Sequence, residues 1–378
     1  VPDAVPNIPL KTPATLPVGL LDFDRKNPRF TPDKEPESAT DEAIIRQLNR
    51  TADLGELIQS ISANGYIAIE PLIIYAKGAR FVVLEGNRRL AAVMCLRDRE
   101  LARRCEVSLP AEIPPEVAAT LEALLVFRVE NEHGAREMIG FKHINGPQAW
   151  DAYAKALFAM RWLDDERGKP GGLTLADISR RMGDNNDTLH RMVTAAYVIA
   201  QAEREEVYNL DDRAKKHFSF SHLYTALSYP EFTAYLGMAR PARNSDPVID
   251  PVPRGKFDEL RTLLEWLYGS KKAGHEPVIQ SQAKDLNRLK NVIAHPAALR
   301  ELTERRRLDD AVVTATPTSS LFEKNLIDSA ATLKIALENV TGFDPNAQQH
   351  LMEFAKGCYD RADSVMALMQ RAIDKAAK

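Results

Sequence analysis

The chain holds 378 residues, 44% hydrophobic and 27% charged, a composition that supports folded cores and more than one domain. A formal net charge of −3 excludes a surface coated uniformly in positive charge, though not a local basic patch. No apolar run reaches the roughly 18 residues of a membrane span, and Cys95, Cys105 and Cys358 have neither metal-ligand spacing nor the even number of a disulfide framework, so a reducing cytoplasm is expected.

Residues 1–15 read as an extended, Pro-rich arm without the basic and apolar regions of a signal peptide. LPVGLLDFD (16–24) reads as a short strand, NPRF (27–30) as a turn imposed by Asn27 and Pro28, and 31–40 as an acidic loop. DEAIIRQLNRT and DLGELIQSISANG are helix-like, the second stopped by Asn64-Gly65. PLIIYAKGARFVVLEGNRRLAAVMCL reads as strand, turn, strand, tight turn, helix, and VFRVEN (126–131) as another strand. From about residue 148 the pattern turns helical. Residues 239–256 hold four prolines and no periodicity, as a linker or long surface loop would. Helices are expected again from 257 to the end.

The stretch EGNRR (85–89) joins a strand to a helix. Gly86 permits positive φ and close backbone approach. The helix beginning near Arg88 points free N–H groups and partial positive charge at the same place. Arg88 and Arg89 add planar donors suited to phosphate oxygens. Glu85 could hold an arginine, coordinate Mg²⁺ or touch a ribose. A plain turn whose arginines make surface pairs explains the local chemistry about as well.

Order along the chain adds to this. Asn27-Pro28-Arg29, then a helix ending at Gly65 with Pro71 beyond it, then Gly86, Arg88 and Arg89, then Glu130-Asn131, resembles the ParB/sulfiredoxin superfamily, whose N-terminal domain is often labelled a ParB-like nuclease. The resemblance covers roughly 16–235, because a helix–turn–helix follows where the ParB branch has one. It implies a nucleoside triphosphate site. Gly86, Asn87, Arg88 and Arg89, with Glu85, would cradle phosphates, and Arg29 would close on phosphates or base. Glu130 and Asn131 would place Mg²⁺ and the attacking water and so be catalytic, oxygen donors being what a hard cation needs. CTP is the ligand of true ParB proteins, and ATP is the other candidate here. Asn87 stands where the ParB branch carries glutamate and sulfiredoxin its cysteine. An amide cannot form a sulfur ester with phosphate, so sulfiredoxin activity is not expected. The arginine that follows Glu-Asn in the family is displaced, with Arg136 or Lys142 as substitutes.

Ile178, Met182, Leu189 and Met192 around Gly183 give the apolar spacing of a helix–turn–helix over 174–198, with Ser179 small enough to let the helices approach. Its second helix would offer Asn186, Thr188, His190 and Arg191 to DNA, with Asp184 and Asp187 opposing phosphates. A hairpin used only for packing or dimer contacts fits nearly as well. RLKNVIAHP (288–296) resembles the Arg-Asn…His element of HEPN ribonucleases, in which Arg288 and His295 would converge on an RNA phosphate. Its apolar spacing also fits an ordinary amphipathic helix stopped by Pro296. RDRELARR (97–104) is either a solvated face or the basic rim of a groove. Trp150, Trp162 and Trp266 read as packing.

The expected architecture is α+β. A ParB/sulfiredoxin-like mixed domain (16–135) is followed by a helical domain with the helix–turn–helix (136–238), the linker, and a C-terminal helical domain (257–378). The expected function is a homodimeric protein that binds or hydrolyses CTP or ATP with Mg²⁺ and couples nucleotide state to DNA, in partition or in phage or mobile-element defence. A nuclease, through the mixed domain or through Arg288 and His295, and a non-enzymatic DNA-binding adaptor are the alternatives.

Overall fold

A computed structural model describes residues 6–145, 150–239 and 245–376. The first five residues of the expected arm and residues 240–244 of the expected linker lie outside the described residues. Five strands, β1 (Pro13–Pro17), β2 (Leu21–Phe23), β3 (Leu72–Lys77), β4 (Arg80–Glu85) and β5 (Ala123–Val129), form one mixed sheet in the order β1-β5-β3-β4-β2. The β3–β4 and β1–β5 pairs are antiparallel, while β2–β4 and β3–β5 are parallel. The single strand expected over 16–24 is two, broken by a 3₁₀ turn at Val18–Leu20. The first begins inside the expected arm, and its prolines Pro13 and Pro17 are tolerated because β1 is an edge strand.

Helices α1 (Asp41–Ala52), α2 (Leu54–Asn64), α3 (Asn87–Arg97), α4 (Arg99–Arg104) and α5 (Pro115–Ala119) accompany the sheet. Then come α6 (Arg136–Asn145), α7 (Ala152–Glu166), α8 (Leu175–Met182), α9 (Asn186–Arg204), α10 (Phe220–Ala226) and α11 (Pro230–Tyr235). After these follow α12 (Phe257–Tyr268), α13 (Gln282–Ile293), α14 (Pro296–Arg305), α15 (Leu308–Ala315), α16 (Thr318–Glu338) and α17 (Leu351–Ala376).

The runs LIIY and FVVL are continuously apolar because the sheet is buried on both faces. With a side-chain period of two, Leu72, Ile74 and Val83 enter a core shared with Ile44, Ile58 and Leu90, whereas Ile73, Leu84 and Val129 enter a second core. That second core takes Ile139, Phe158, Trp162, Ile178, Met182 and Leu189 from the following helices. The sheet and the helices α6 to α9 therefore share a core.

The chain divides into two compact units, Val1–Val312 and Val313–Lys378, rather than at the proline-rich stretch. Residues 245–252 lie along α9. Gln201 donates to the Val252 carbonyl at 2.7 Å and accepts from its N–H at 3.0 Å, Asp246 accepts from the Leu175 N–H at 2.7 Å, and Arg167 donates to the Pro247 carbonyl at 2.6 Å. Prolines without periodicity here mark an ordered strap whose polar groups find partners one by one.

Candidate functional site: a cationic cleft at a strand-to-helix turn

Strand β4 ends at Glu85, and α3 starts at Asn87 with Gly86 as its N-cap in the left-handed region, at φ 101°. A Cβ on Gly86 would lie 2.3 Å from Leu72 Cδ2, so this position needs glycine on both steric and conformational grounds. No side chain caps α3. The first N–H groups of an α-helix have no intrahelical partner, so they and the helix dipole favour an anion in front of the turn.

Around the turn lies a cleft of about 700 Å³ lined by Arg29, Gly86, Arg88, Arg89 and Lys142, with Glu56, Glu70 and Glu85 among the acidic residues of its wall. Six of the expected phosphate-site residues, Arg29 and 85–89, meet here although Arg29 is remote in sequence. Burial, then the neighbouring charge of Arg88, holds the Arg29 guanidinium below its ordinary pKa. Arg88 is likewise lowered by burial, opposed by Asp53 and Glu56, and it donates to the Asp53 carbonyl at 2.7 Å. Two guanidiniums that repel each other in a part-buried cleft are relieved by an anion between them.

Glu85 is a structural counter-ion. It accepts from Arg89 at 2.8 Å and lies 2.8 Å from Lys142 Nζ. Burial pushes its carboxyl pKa up, but Arg89 and Lys142 outweigh this and hold it below the usual value. Arg89 also donates to the Glu70 carbonyl, and Lys142 to the Glu70 carboxylate at 2.6 Å. Asn87 faces the interior: its amide donates to the Val83 carbonyl at 2.7 Å, and its oxygen accepts from the Asp24 N–H at 3.1 Å. Its backbone can still serve the cleft, whereas its side chain ties α3 to β4 and to the start of the NPRF turn. In that turn Asn27 is buried, and its side chain accepts from the Arg29 N–H at 3.0 Å, which sets the direction of Arg29.

Glu130 and Asn131 do not line this cleft. Both are exposed, and the Asn131 side chain accepts from the His133 N–H at 2.9 Å in a local turn. Among the described residues no group of three His, Cys, Asp or Glu side chains could hold a metal. A cation carried by phosphates needs few protein ligands. Of the two substitutes for the displaced arginine, Lys142 reaches the cleft, while Arg136 pairs with Asp165. His143 and Trp150, stacked with centroids 4.6 Å apart, also line it. The buried spacing of Ile139, Gly140 and His143 is the signal that could have placed α6, and with it Lys142, beside the turn.

Helices α8 and α9 occupy the stretch expected to be a helix–turn–helix. Thr174 and Asp177 form a capping box, Gly183 turns the chain at φ 72°, and Ser179 donates to the Asp184 carbonyl at 2.7 Å. Asn186, Thr188, His190 and Arg191 occupy the first turns of α9. Arg191 is exposed and donates to Thr188 Oγ1 at 3.3 Å, whereas the His190 ring lies 3.2 Å from the Ser245 carbonyl of the strap. Asp184, expected to oppose phosphates, is paired with Lys155 at 3.0 Å. Arg288 bridges Asp285 and Asp309, and His295 caps α14 by accepting from the Ala298 N–H at 3.4 Å. Each has a structural task in the helix or cap that holds it.

No family description matches the chain, and no curated protein matches it. Among solved structures, the C-terminally truncated chromosome-partitioning protein ParB from Caulobacter crescentus, complexed to the centromeric parS site, aligns with 59% of this chain and 88% of its own at 10% identity. The TM-score is 0.29.

Proposed function

We propose that the cleft binds the phosphates of a nucleoside triphosphate, CTP or ATP, and that nucleotide state biases association with DNA through α8 and α9. The observation that carries this is the meeting of Arg29, Arg88, Arg89 and Lys142 at the uncapped start of α3. Arg29 and Arg88 would clamp the phosphate oxygens from two sides, with the first N–H groups of α3 beneath them. Arg89 and Lys142, braced by Glu85, would supply fixed positive charge from the wall. Mg²⁺ would enter with the phosphates. With Glu130 and Asn131 outside the cleft lining, the cleft acts as a nucleotide-binding switch. DNA would meet the N-terminal turns of α9 through Arg191, Thr188 and Asn186, contacts whose affinity falls with salt.

Calorimetric titration of CTP, ATP and GTP with Mg²⁺, with and without DNA, tests the reading. Binding of at least one is expected, and Arg88→Ala should weaken it about 30- to 150-fold, as loss of a charge-assisted contact worth roughly 2–3 kcal/mol implies. Absence of binding by all three nucleotides, or unaltered binding by Arg88→Ala, would sink it.

A further inference from the structure

A second cavity, of about 680 Å³, lies behind the NPRF turn. Asn27 and Arg29 of that turn line the cationic cleft, whereas Pro28 and Phe30 line this cavity, and among the described residues the two share Leu84 alone. Its floor is apolar. Leu84, Ile139 and Phe158 reach it from the second core, and Phe30 and Ile44 from the first.

Asp24 breaks the pattern of this wall. It directly follows β2, one residue past the Phe23–Val83 pair of the parallel β2–β4 ladder. Phe23 and Val83 point into the first core, so the period of two turns Asp24 toward the face of Leu84 and the second core. A carboxylate at a core-facing position contradicts the apolar pattern around it, which is where functional positions are found. It accepts from the Lys26 N–H at 2.9 Å and forms no ion pair among the described residues. Burial pushes its carboxyl up to about 6 against that hydrogen bond, so a positive group brought from outside would favour its charged form.

Most other charges of the wall are matched locally. Arg136 pairs with Asp165, Lys26 lies 3.8 Å from Glu132, and Arg25 lies 3.3 Å from Asp41. His133 stands between Glu132 and Asp165, at 3.6 and 3.8 Å, and Glu35 is exposed. The remaining cation is Arg161. It is exposed, forms no ion pair among the described residues, and lies close enough to Asp24 for its charge to act on that carboxylate. We propose that this cavity binds a free α-amino acid with a large apolar side chain. Its ammonium would sit on Asp24, its carboxylate on Arg161, and its side chain over Leu84, Ile139 and Phe158. A ligand with only a positive group would leave Arg161 unmatched, and one with only a negative group would leave Asp24 unmatched. A zwitterion answers both, and it suits a lining in which four Asp and Glu residues face four Lys and Arg residues. An apolar floor with a few convergent polar groups is the usual build of a small-molecule site. The inference is independent of what the cleft binds.

Calorimetric titration of the full chain with L-leucine, L-methionine and L-phenylalanine tests this. At least one is expected to bind. The amine and the carboxylic acid that each lack one of its two charges should bind at least about tenfold more weakly, as loss of a charge-assisted contact implies. Arg161→Ala should show a similar loss with its thermal unfolding unchanged, because the side chain is exposed and holds no ion pair among the described residues. Asp24→Asn should lose affinity in the same way. Failure of all three amino acids to bind at millimolar concentration overturns the proposal. So does an amine or acid that binds as tightly as the amino acid itself, or wild-type affinity in either variant.

Discussion

Asp24 shows how one residue couples the cleft to the stability of the fold. Its N–H is held by Asn87, its carboxylate accepts from the Lys26 N–H at 2.9 Å, and burial pushes its carboxyl up to about 6. The folded state therefore binds a proton that the unfolded chain, with the ordinary value of 3.8, has already released between these pH values. Stability should fall as pH rises through that window, from about 4 to about 6, and level off above it. In Asp24→Asn this slope should disappear from urea-unfolding curves measured between pH 4 and 7. An unchanged slope would show that another group titrates there. Asn87 carries the same lesson from the other side. Its place at the start of α3 was legible, but its inward direction was not, because a side chain at a helix start can face ligand or strand and only packing chooses.

At the scale of the element, the strand-to-helix turn was the most legible part of the chain. VVLEGNRRLAA announces the end of β4, the glycine and the beginning of α3, because β-branched residues, a positive φ and helix formers follow one another within a few residues. Gly86→Ala should strain the left-handed N-cap and drive a methyl into Leu72. A loss of about 1–3 kcal/mol is expected by chemical denaturation, with weaker nucleotide binding beyond it as the start of α3 shifts. Full stability in that variant would mean that the turn relaxes cheaply. Helix α6 falls inside the expected helical domain, but its place beside the turn was not legible. Its ten residues are flanked by a turn, and the buried spacing of Ile139, Gly140 and His143 acquires meaning only once Ile139 packs on the second face of the sheet. Glu130 and Asn131 were legible as a motif, yet they lie exposed just past the end of β5 and do not line the cationic cleft.

For the whole molecule, long-range polar pairs decide what composition cannot. The proline-rich strap is fixed to α9 by Gln201, which is 51 residues from Val252 and satisfies both of its backbone groups in the interior. Gln201→Ala would leave a buried N–H and a buried carbonyl without partners, at a cost of about 2–4 kcal/mol. Limited proteolysis should then cut within 245–252 well before the wild type is cut. Equal protection in the two proteins would show that apolar contacts of Val252 suffice. The sequence by itself determined the alternation of strands and helices, the α+β class, the glycine turn between β4 and α3 and the break between α8 and α9 at Gly183, since these rest on local periodicity and backbone preference. Only the tertiary structure decided that the sheet is buried on both faces, that Arg29 and Lys142 join Arg88 and Arg89 while Glu130 and Asn131 do not, and that the first compact unit runs to Val312. Those outcomes depend on contacts between residues far apart in the chain, and a contact of that kind leaves no local mark in the residues that make it.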